Sequence, residues 1–169
     1  MSSNGSATRK LYIRFVRDPG MISSFICYYT WGEWSHVEFV FESGYLGARL
    51  SGGVRVRPYD YVTPVKQEFR YLTLSAEDYN NAVSFLYSQV GKPYDWQAIL
   101  GLGIRNDFFT YGKSWFCSEL VQAGSQAAKT PLLNTEHVDR ITPRDVGLST
   151  VAITDSNFNP LTYNWSKNP

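Results

Sequence analysis

The chain has 169 residues, long enough for one domain with a hydrophobic core, and its 43% hydrophobic and 18% charged residues are typical of a globular protein. A formal net charge of +1 argues against a broad basic surface, so we expect no nucleic-acid partner. No stretch approaches the roughly 18 consecutive apolar residues of a spanning helix, so we also expect no membrane span.

The first ten residues, MSSNGSATRK, are small and polar, and no apolar run of a signal peptide follows them. We interpret residues 1–8 as a loose arm. We expect the chain to be cytoplasmic at synthesis, with association with a virion or release by lysis as alternatives. The two cysteines, Cys27 and Cys117, lie far apart, which indicates neither a disulfide framework nor a metal site. We expect no cofactor.

Strand patterns dominate the first half of the chain. Alternation predicts strands over residues 9–16, 34–41 and 67–74, and the turn sequence SGG predicts a hairpin around Gly52. The arginines of this hairpin are interpreted as a solvated face: Arg49, Arg55 and Arg57. Between the first two strands, DPGMISSFICYYTWG predicts a short apolar element in which Cys27 is a buried, inert thiol.

Helical spacing replaces strand alternation after Ser75, which is a predicted N-cap. Apolar residues then recur with a helical period as far as Gly91, which predicts the end of that helix. A second helix is predicted to begin near residue 94 and a third near residue 114. Strands followed by helices predict an α+β domain over residues 9–150, with residues 151–169 as an irregular C-terminal extension.

The third predicted helix carries Cys117 in its first turn, with Ser114 as the predicted N-cap. Small or apolar residues follow at helical spacing and place the cysteine on a core-facing stripe: Leu120, Val121, Gly124 and Ala128. A cysteine at a helix N-terminus gains from the positive end of the helix dipole, which favours the nucleophilic thiolate. These residues alone leave two interpretations open, a core thiol and a nucleophile.

A cysteine nucleophile needs a base, and the chain has two histidines. His137 lies in the polar connection LNTEHVDR and is interpreted as a surface residue. His36 lies in a predicted strand, where Glu38 shares its face and could fix the tautomer of the imidazole. A structural His36 with locally satisfied hydrogen bonds is the alternative.

Four motifs in a fixed order, SHV, GGV, GKPYDW and CSELV, resemble the NlpC-type papain-like cysteine hydrolases. In most of that superfamily the cysteine precedes the histidine, whereas here His36 precedes Cys117. That order is similar to the circularly permuted branch, which includes the YiiX/YaeF-type and lecithin:retinol-acyltransferase-like proteins. The later ITPRDVGLST is similar to a segment near the end of that branch, so the resemblance spans most of the chain.

The resemblance implies a permuted papain-like α+β fold, with an antiparallel β-sheet packed against helices and the catalytic cysteine at a helix N-terminus. It implies Cys117 as the nucleophile, His36 as the base, a thiolate–imidazolium pair and an acyl-enzyme intermediate. Tyr94 matches the family tyrosine that approaches the cysteine and can assist the oxyanion site. The implied substrate is a small peptide, an amide or an acyl compound.

The third catalytic residue departs from the family pattern, because relatives often place it on the strand after the histidine strand, where this chain has Gly47. We expect Glu38 to take this role, with Ser51 in reserve. Trp34 and Trp115 flank the pair in sequence, and with Ser51 they are predicted substrate contacts. Core packing explains the tryptophans equally well.

Three functions stay open at this point. The first is an amidase or peptidase, acting for example on cell-wall peptides. The second is a thiol acyltransferase or esterase on lipid substrates, whose acyl pocket the aromatic residues, 16% of the chain, could line. The third is a catalytically silent structural or binding subunit of a larger assembly, such as a phage particle.

Overall fold

A computed structural model describes residues 8–95, 114–135 and 141–167 of the protein. Its elements follow one another as β1 (Thr8–Arg17), α1 (Met21–Thr30), β2 (His36–Phe41), β3 (Gly44–Arg49), β4 (Gly53–Arg57), β5 (Lys66–Ser75), α2 (Ala76–Ser88), α3 (Cys117–Ala127), α4 (Pro143–Gly147) and β6 (Ile153–Thr154). A 3₁₀ turn, Trp165–Lys167, ends the described chain. Most of the second predicted helix, and His137, lie outside the described residues.

The six strands form one sheet in the order β4-β3-β2-β1-β5-β6, and each neighbouring pair is antiparallel. β1 lies inside the sheet between β2 and β5, and it pairs with β5 along its full length. The hairpin predicted around Gly52 joins β3 to β4. An α+β domain with an antiparallel sheet packed against helices is therefore confirmed.

Alternating side chains give the sheet two buried faces. The face towards α2 and α3 carries Val37, Phe39 and Leu46 within the main hydrophobic core. The opposite face carries a second cluster that includes Tyr12, and the ring of Phe158 stacks on Tyr12 with the centroids 3.7 Å apart. Burial on both faces explains why every residue of β2 is buried.

The segment after residue 150, interpreted from the sequence as irregular, is part of the packed domain. β6 pairs with β5 through Ile153 and Tyr71, and the backbone N–H of Asp155 donates to the carbonyl of Phe69 at 2.9 Å. The segment then covers the second face of the sheet. At the other end of the domain, Thr8 belongs to β1 rather than to the arm.

Helix α3 begins at Cys117, with Phe116 rather than Ser114 as its N-cap. The Glu119 carboxylate accepts a hydrogen bond from the backbone N–H of Phe116 at 3.0 Å, which satisfies a donor at the helix start. Four members of the predicted stripe, Cys117, Leu120, Val121 and Ala128, belong to the main core. The stripe does not set one face apart, however, because every residue of α3 from Cys117 to Ser125 is buried. Among the described helices, none is both long and apolar enough to cross a membrane.

Gly124 lets α3 approach β2 and α2 closely, because a Cβ at this position would lie 2.7 Å from Phe39 Cε2 and 2.9 Å from Leu86 Cδ2. We expect Gly124→Ala to lower the free energy of unfolding by about 1–2 kcal/mol, since overpacking outweighs the gain in helix propensity. Urea unfolding measures the change. The control is Ser84→Ala on the exposed face of α2, and equal stability of the two variants would contradict the close approach.

Candidate active site

Cys117 lies where α3 meets the beginning of β2. It is the first residue of α3 and is 1% exposed. The pairing of β2 with β3 ends at Phe39 and Leu46, and beyond this pair the backbone N–H of Val37 donates to the Cys117 sulfur. Because Val37 directly follows His36, the helix brings the sulfur to the end of the strand that carries the predicted base.

His36 and Glu38 share the face of β2 opposite α3 and are hydrogen-bonded to each other. His36 Nε2 lies 3.0 Å from Glu38 Oε2, and both side chains are buried. Residues two apart on a strand are separated by about 7 Å at their Cα atoms, so the long Glu38 side chain has to reach back along β2. The contact therefore joins the two residues that the sequence predicted as a pair.

Gly47 on β3 leaves the space that Glu38 occupies. A Cβ at this position would lie 2.7 Å from Glu38 Cβ, 3.2 Å from Glu38 Oε2 and 3.5 Å from His36 Nε2. No side chain could share this space without displacing the carboxylate. The space beside Gly47 on β3 is thus filled by the Glu38 side chain from the strand that carries His36.

Further donors surround the Glu38 carboxylate. Arg14 Nη1 donates to Oε1 at 3.0 Å, and the Tyr61 hydroxyl lies 2.9 Å from both carboxylate oxygens. Burial alone would raise the pKa of Glu38, but its interaction with His36, which includes their hydrogen bond, and the positive charges of Arg49 and Arg14 outweigh burial and lower this pKa to about 2. Glu38 is therefore ionised at neutral pH.

His36 and Cys117 are both uncharged at neutral pH. Burial lowers the pKa of His36, as does the Arg49 cation, whereas Glu38 raises it. Burial raises the pKa of the Cys117 thiol to about 12, although the N–H of Val37 and the charge of Arg49 offset part of this effect. Cys117 is therefore a thiol, not a thiolate, at neutral pH.

A cavity of about 210 Å³ adjoins His36. Its wall is formed by the β1–α1 turn, one side of α1 and the end of β3, and it includes Arg49, Ser51 and Tyr94. Tyr94 is tied to the start of α3 by a parallel bridge with Trp115. Burial raises the pKa of Tyr94, and the nearby Cys117 adds to this rise. Tyr94 thus lies between the cavity and the cysteine.

The structure separates the three predicted substrate contacts. Ser51 lines the cavity beside His36. Trp34 is buried in the helix-side core, with its ring 6.0 Å from that of Phe15. Trp115 is buried in the same core, and its indole N–H donates to Gln89 Oε1 at 3.1 Å. Both tryptophans are therefore core residues in this structure, because their large apolar rings are buried in the main hydrophobic core.

Arg49 contradicts the interpretation of its hairpin as a solvated face. Its side chain is 18% exposed, and Nη1 donates to Asp18 Oδ2 at 2.5 Å. Arg57 also donates to backbone carbonyls of the hairpin itself.

Arg14 on β1 was not predicted from the sequence as a site residue. A single charged residue within the apolar run LYIRFV is the signal of a buried ion pair that could have identified it.

Cys27 lies on α1, away from the core that holds Cys117, and is buried as predicted. Its sulfur lies 3.6 Å from the backbone carbonyl of Glu33, and burial raises its pKa. The second cysteine therefore provides a natural control for experiments on Cys117.

No protein-family model matches the chain, and no curated protein matches it significantly. Within the residues that the structure describes, no cluster of three or more His, Cys, Asp and Glu side chains could hold a metal ion. Any function proposed for the site therefore has to be supported by the geometry around Cys117, His36 and Glu38.

Burial of Cys117 has a measurable consequence for its reactivity. In a Cys27→Ala background, we expect iodoacetamide to modify Cys117 slowly at neutral pH and faster at each step up to pH about 9.5, because the raised pKa keeps the thiol protonated. Intact-protein mass spectrometry follows the rate, with Cys117→Ala as the blank. Rapid modification that is constant from acidic to neutral pH would instead reveal a resting thiolate.

Proposed function

We propose that the protein is a cysteine hydrolase that cleaves an amide bond, with Cys117 as the nucleophile, His36 as the general base and Glu38 as the residue that orients the base. The observation that carries this proposal is the buried hydrogen bond between His36 Nε2 and Glu38 Oε2, at 3.0 Å. A second contact supports it: the backbone N–H of Val37, the residue after His36, donates a hydrogen bond to the Cys117 sulfur. A small peptide or amide is the proposed substrate.

The Glu38 contact decides which histidine nitrogen reacts. With Nε2 engaged by the carboxylate, a neutral imidazole carries its proton there and offers the Nδ1 lone pair to the thiol. As the Cys117 sulfur attacks the substrate carbonyl, its proton passes to Nδ1 and a thiolate–imidazolium pair forms during the reaction. The negative Glu38 stabilises the imidazolium, as the acidic member of a catalytic triad does.

The remaining steps follow from the same groups. The imidazolium of His36 returns its proton to the leaving amine, which departs and leaves an acyl group on Cys117. A water molecule, deprotonated by His36, then attacks the thioester carbonyl. The carbon–sulfur bond breaks, the acyl group leaves as a carboxylic acid, and the Cys117 sulfur takes the proton back from His36. A negative oxygen forms at each addition step, near the N-terminus of α3. The backbone N–H of Cys117 and the side chain of Tyr94 can stabilise it there.

We also propose that the domain has the circularly permuted papain-like fold. Three features support it: the histidine strand precedes the cysteine helix in the chain, the sheet is antiparallel, and Cys117 is the first residue of its helix. The position of Gly47 on the strand after β2 agrees with the departure from the family pattern noted in the sequence. Association with a larger assembly, such as a virion, is an extension of the same proposal.

A thiol acyltransferase or esterase acting on lipids is the second candidate, and helix α1 favours it. The helix contains no charged residue, and it exposes Met21 at 89% and Tyr28 at 76%, with Trp31 directly after it exposed at 83%. Ile22 and Ile26 of the same helix line the cavity beside His36. An apolar acyl chain would find a continuous surface from this helix to the cavity.

A catalytically silent binding subunit is the third candidate, and the burial of the sulfur favours it. Cys117 is 1% exposed, and its raised pKa keeps the thiol protonated at neutral pH. Hydrolysis therefore requires the substrate to reach a sulfur that is covered in this conformation. A protein that kept the fold without turnover would have no need for that access.

A panel of peptidoglycan fragments, small amides and acyl esters separates these functions. We expect amide hydrolysis by the wild type and a loss of roughly 10³-fold or more in kcat/KM for Cys117→Ala and for His36→Gln, because each removes a reacting group. Product formation measured by liquid chromatography gives the rates. Cys27→Ala is the matched control and should retain the wild-type rate.

The outcomes of the panel are distinct. Turnover of esters but not amides would favour the second candidate. Binding without turnover of any substrate would favour the third. Full amide hydrolysis by Cys117→Ala would show that Cys117 is not the nucleophile.

A further inference from the structure

Fixed donors surround the Glu38 carboxylate on the sheet face opposite α3. Arg14 Nη1 donates to Oε1 at 3.0 Å, the Tyr61 hydroxyl lies 2.9 Å from both oxygens, and His36 Nε2 lies 3.0 Å from Oε2. An ionised carboxylate offers about four acceptor positions, so these contacts occupy most of its capacity. Glu38 is therefore held in one orientation by groups from three separate parts of the chain.

We propose that Tyr61 and Arg14 are positioning residues, which act on His36 through Glu38 by fixing the plane of the carboxylate and by sharing its charge. The inference rests on the proposed function, in which His36 is the base. Tyr61 and Arg14 are not among the described residues that line the cavity beside His36, so the structure does not place them against a substrate there.

Arg14 is itself held rigidly, so it can fix its partner. The antiparallel register places Arg14 directly opposite Glu38 on β1. Its Nε donates to Gln67 Oε1 at 2.9 Å, and its guanidinium lies 4.2 Å from the centre of the Tyr45 ring. A glutamate side chain with several rotatable bonds would otherwise be free to leave His36, because one hydrogen bond fixes only one of its oxygens.

The charges around the pair determine how strongly Glu38 acts on His36. The charged and titratable groups near them, within the described residues, are Arg14 on β1, Asp18 after β1, Tyr45 and Arg49 on β3, Arg57 on β4 and Tyr61 between β4 and β5. Cys117 on α3 accepts a hydrogen bond from the backbone N–H of Val37, which lies between them on β2. The three arginines offset the negative charges of Asp18 and Glu38. An uncompensated Glu38 would favour an imidazolium, and a protonated imidazole cannot accept the thiol proton.

Tyr61→Phe isolates this effect, because it removes the hydroxyl and keeps the ring that lies 4.6 Å from the Arg49 guanidinium. Tyr59→Phe is the matched control, since the Tyr59 hydroxyl donates to the backbone carbonyl of Phe41 instead of to Glu38. Protein labelled with ¹⁵N-histidine gives signals from only two imidazoles, and His137→Gln assigns them. Titration then reports the tautomer and the pKa of His36 without any need for turnover.

In the wild type we expect a neutral His36 with its proton on Nε2. Tyr61→Phe should raise the pKa of His36, because more of the Glu38 charge then acts on the imidazole, and Arg14→Gln should shift it in the same direction. Glu38→Gln should lower it, and Tyr59→Phe should leave it unchanged. With a substrate from the amide panel, kcat/KM of Tyr61→Phe should fall about ten-fold, mainly through kcat, as expected for a hydrogen bond to a charged group.

An unchanged His36 titration in Tyr61→Phe, together with a shift in Glu38→Gln, would overturn the positioning role of Tyr61. Equal shifts in Tyr61→Phe and Tyr59→Phe would also overturn it, because they would assign the effect to packing. Failure of the proposed function is a separate result. Hydrolysis by Cys117→Ala would show that Cys117 is not the nucleophile, whereas the His36 titrations would still show which residues hold Glu38 in place.

Discussion

Glu38 carries a negative charge at a position with no exposed surface, and such a charge persists only where hydrogen bonds and opposite charges compensate for its lost hydration. The sheet supplies this compensation through its register. β1 places Arg14 opposite Glu38, while β3 presents Gly47, whose missing side chain leaves the space that Glu38 fills beside His36. The ionised carboxylate and the orientation of the imidazole both depend on this arrangement, and in the proposed mechanism so does the choice of Nδ1 as the basic nitrogen.

The two faces of the sheet carry different kinds of side chain. The helix-side face holds the main core, in which the close approach of α3 at Gly124 positions Cys117 at the start of β2. The opposite face holds the ionic groups around Glu38, with an aromatic cluster beside them. The Cys117 sulfur lies where the pairing of β2 and β3 has ended, and it accepts a hydrogen bond from the backbone N–H of Val37, the residue that follows His36.

Much of this arrangement could be predicted from the sequence, since hydrophobic period is a local property. Alternation identified the strands, and the helical stripe through Cys117 identified α3. Glu38 was found because it shares the face of His36 on a single strand. Arg14, Arg49 and Tyr61 were missed because their contacts depend on register and on a loop that crosses the sheet, which no single segment encodes. The tryptophans were ambiguous from the start, because core and cleft use the same apolar ring.

The central claim is that Cys117 and His36 form one reacting pair supported by Glu38. A crystal structure of the protein treated with a small peptide aldehyde, which adds reversibly to a thiol, tests it most directly, with Cys117→Ala as the control that should form no adduct. We expect a hemithioacetal on the Cys117 sulfur, with His36 Nδ1 within about 3.2 Å of the adduct oxygen or sulfur and Nε2 still bound to Glu38. Both ring nitrogens of His36 farther than about 6 Å from the sulfur would contradict the pair.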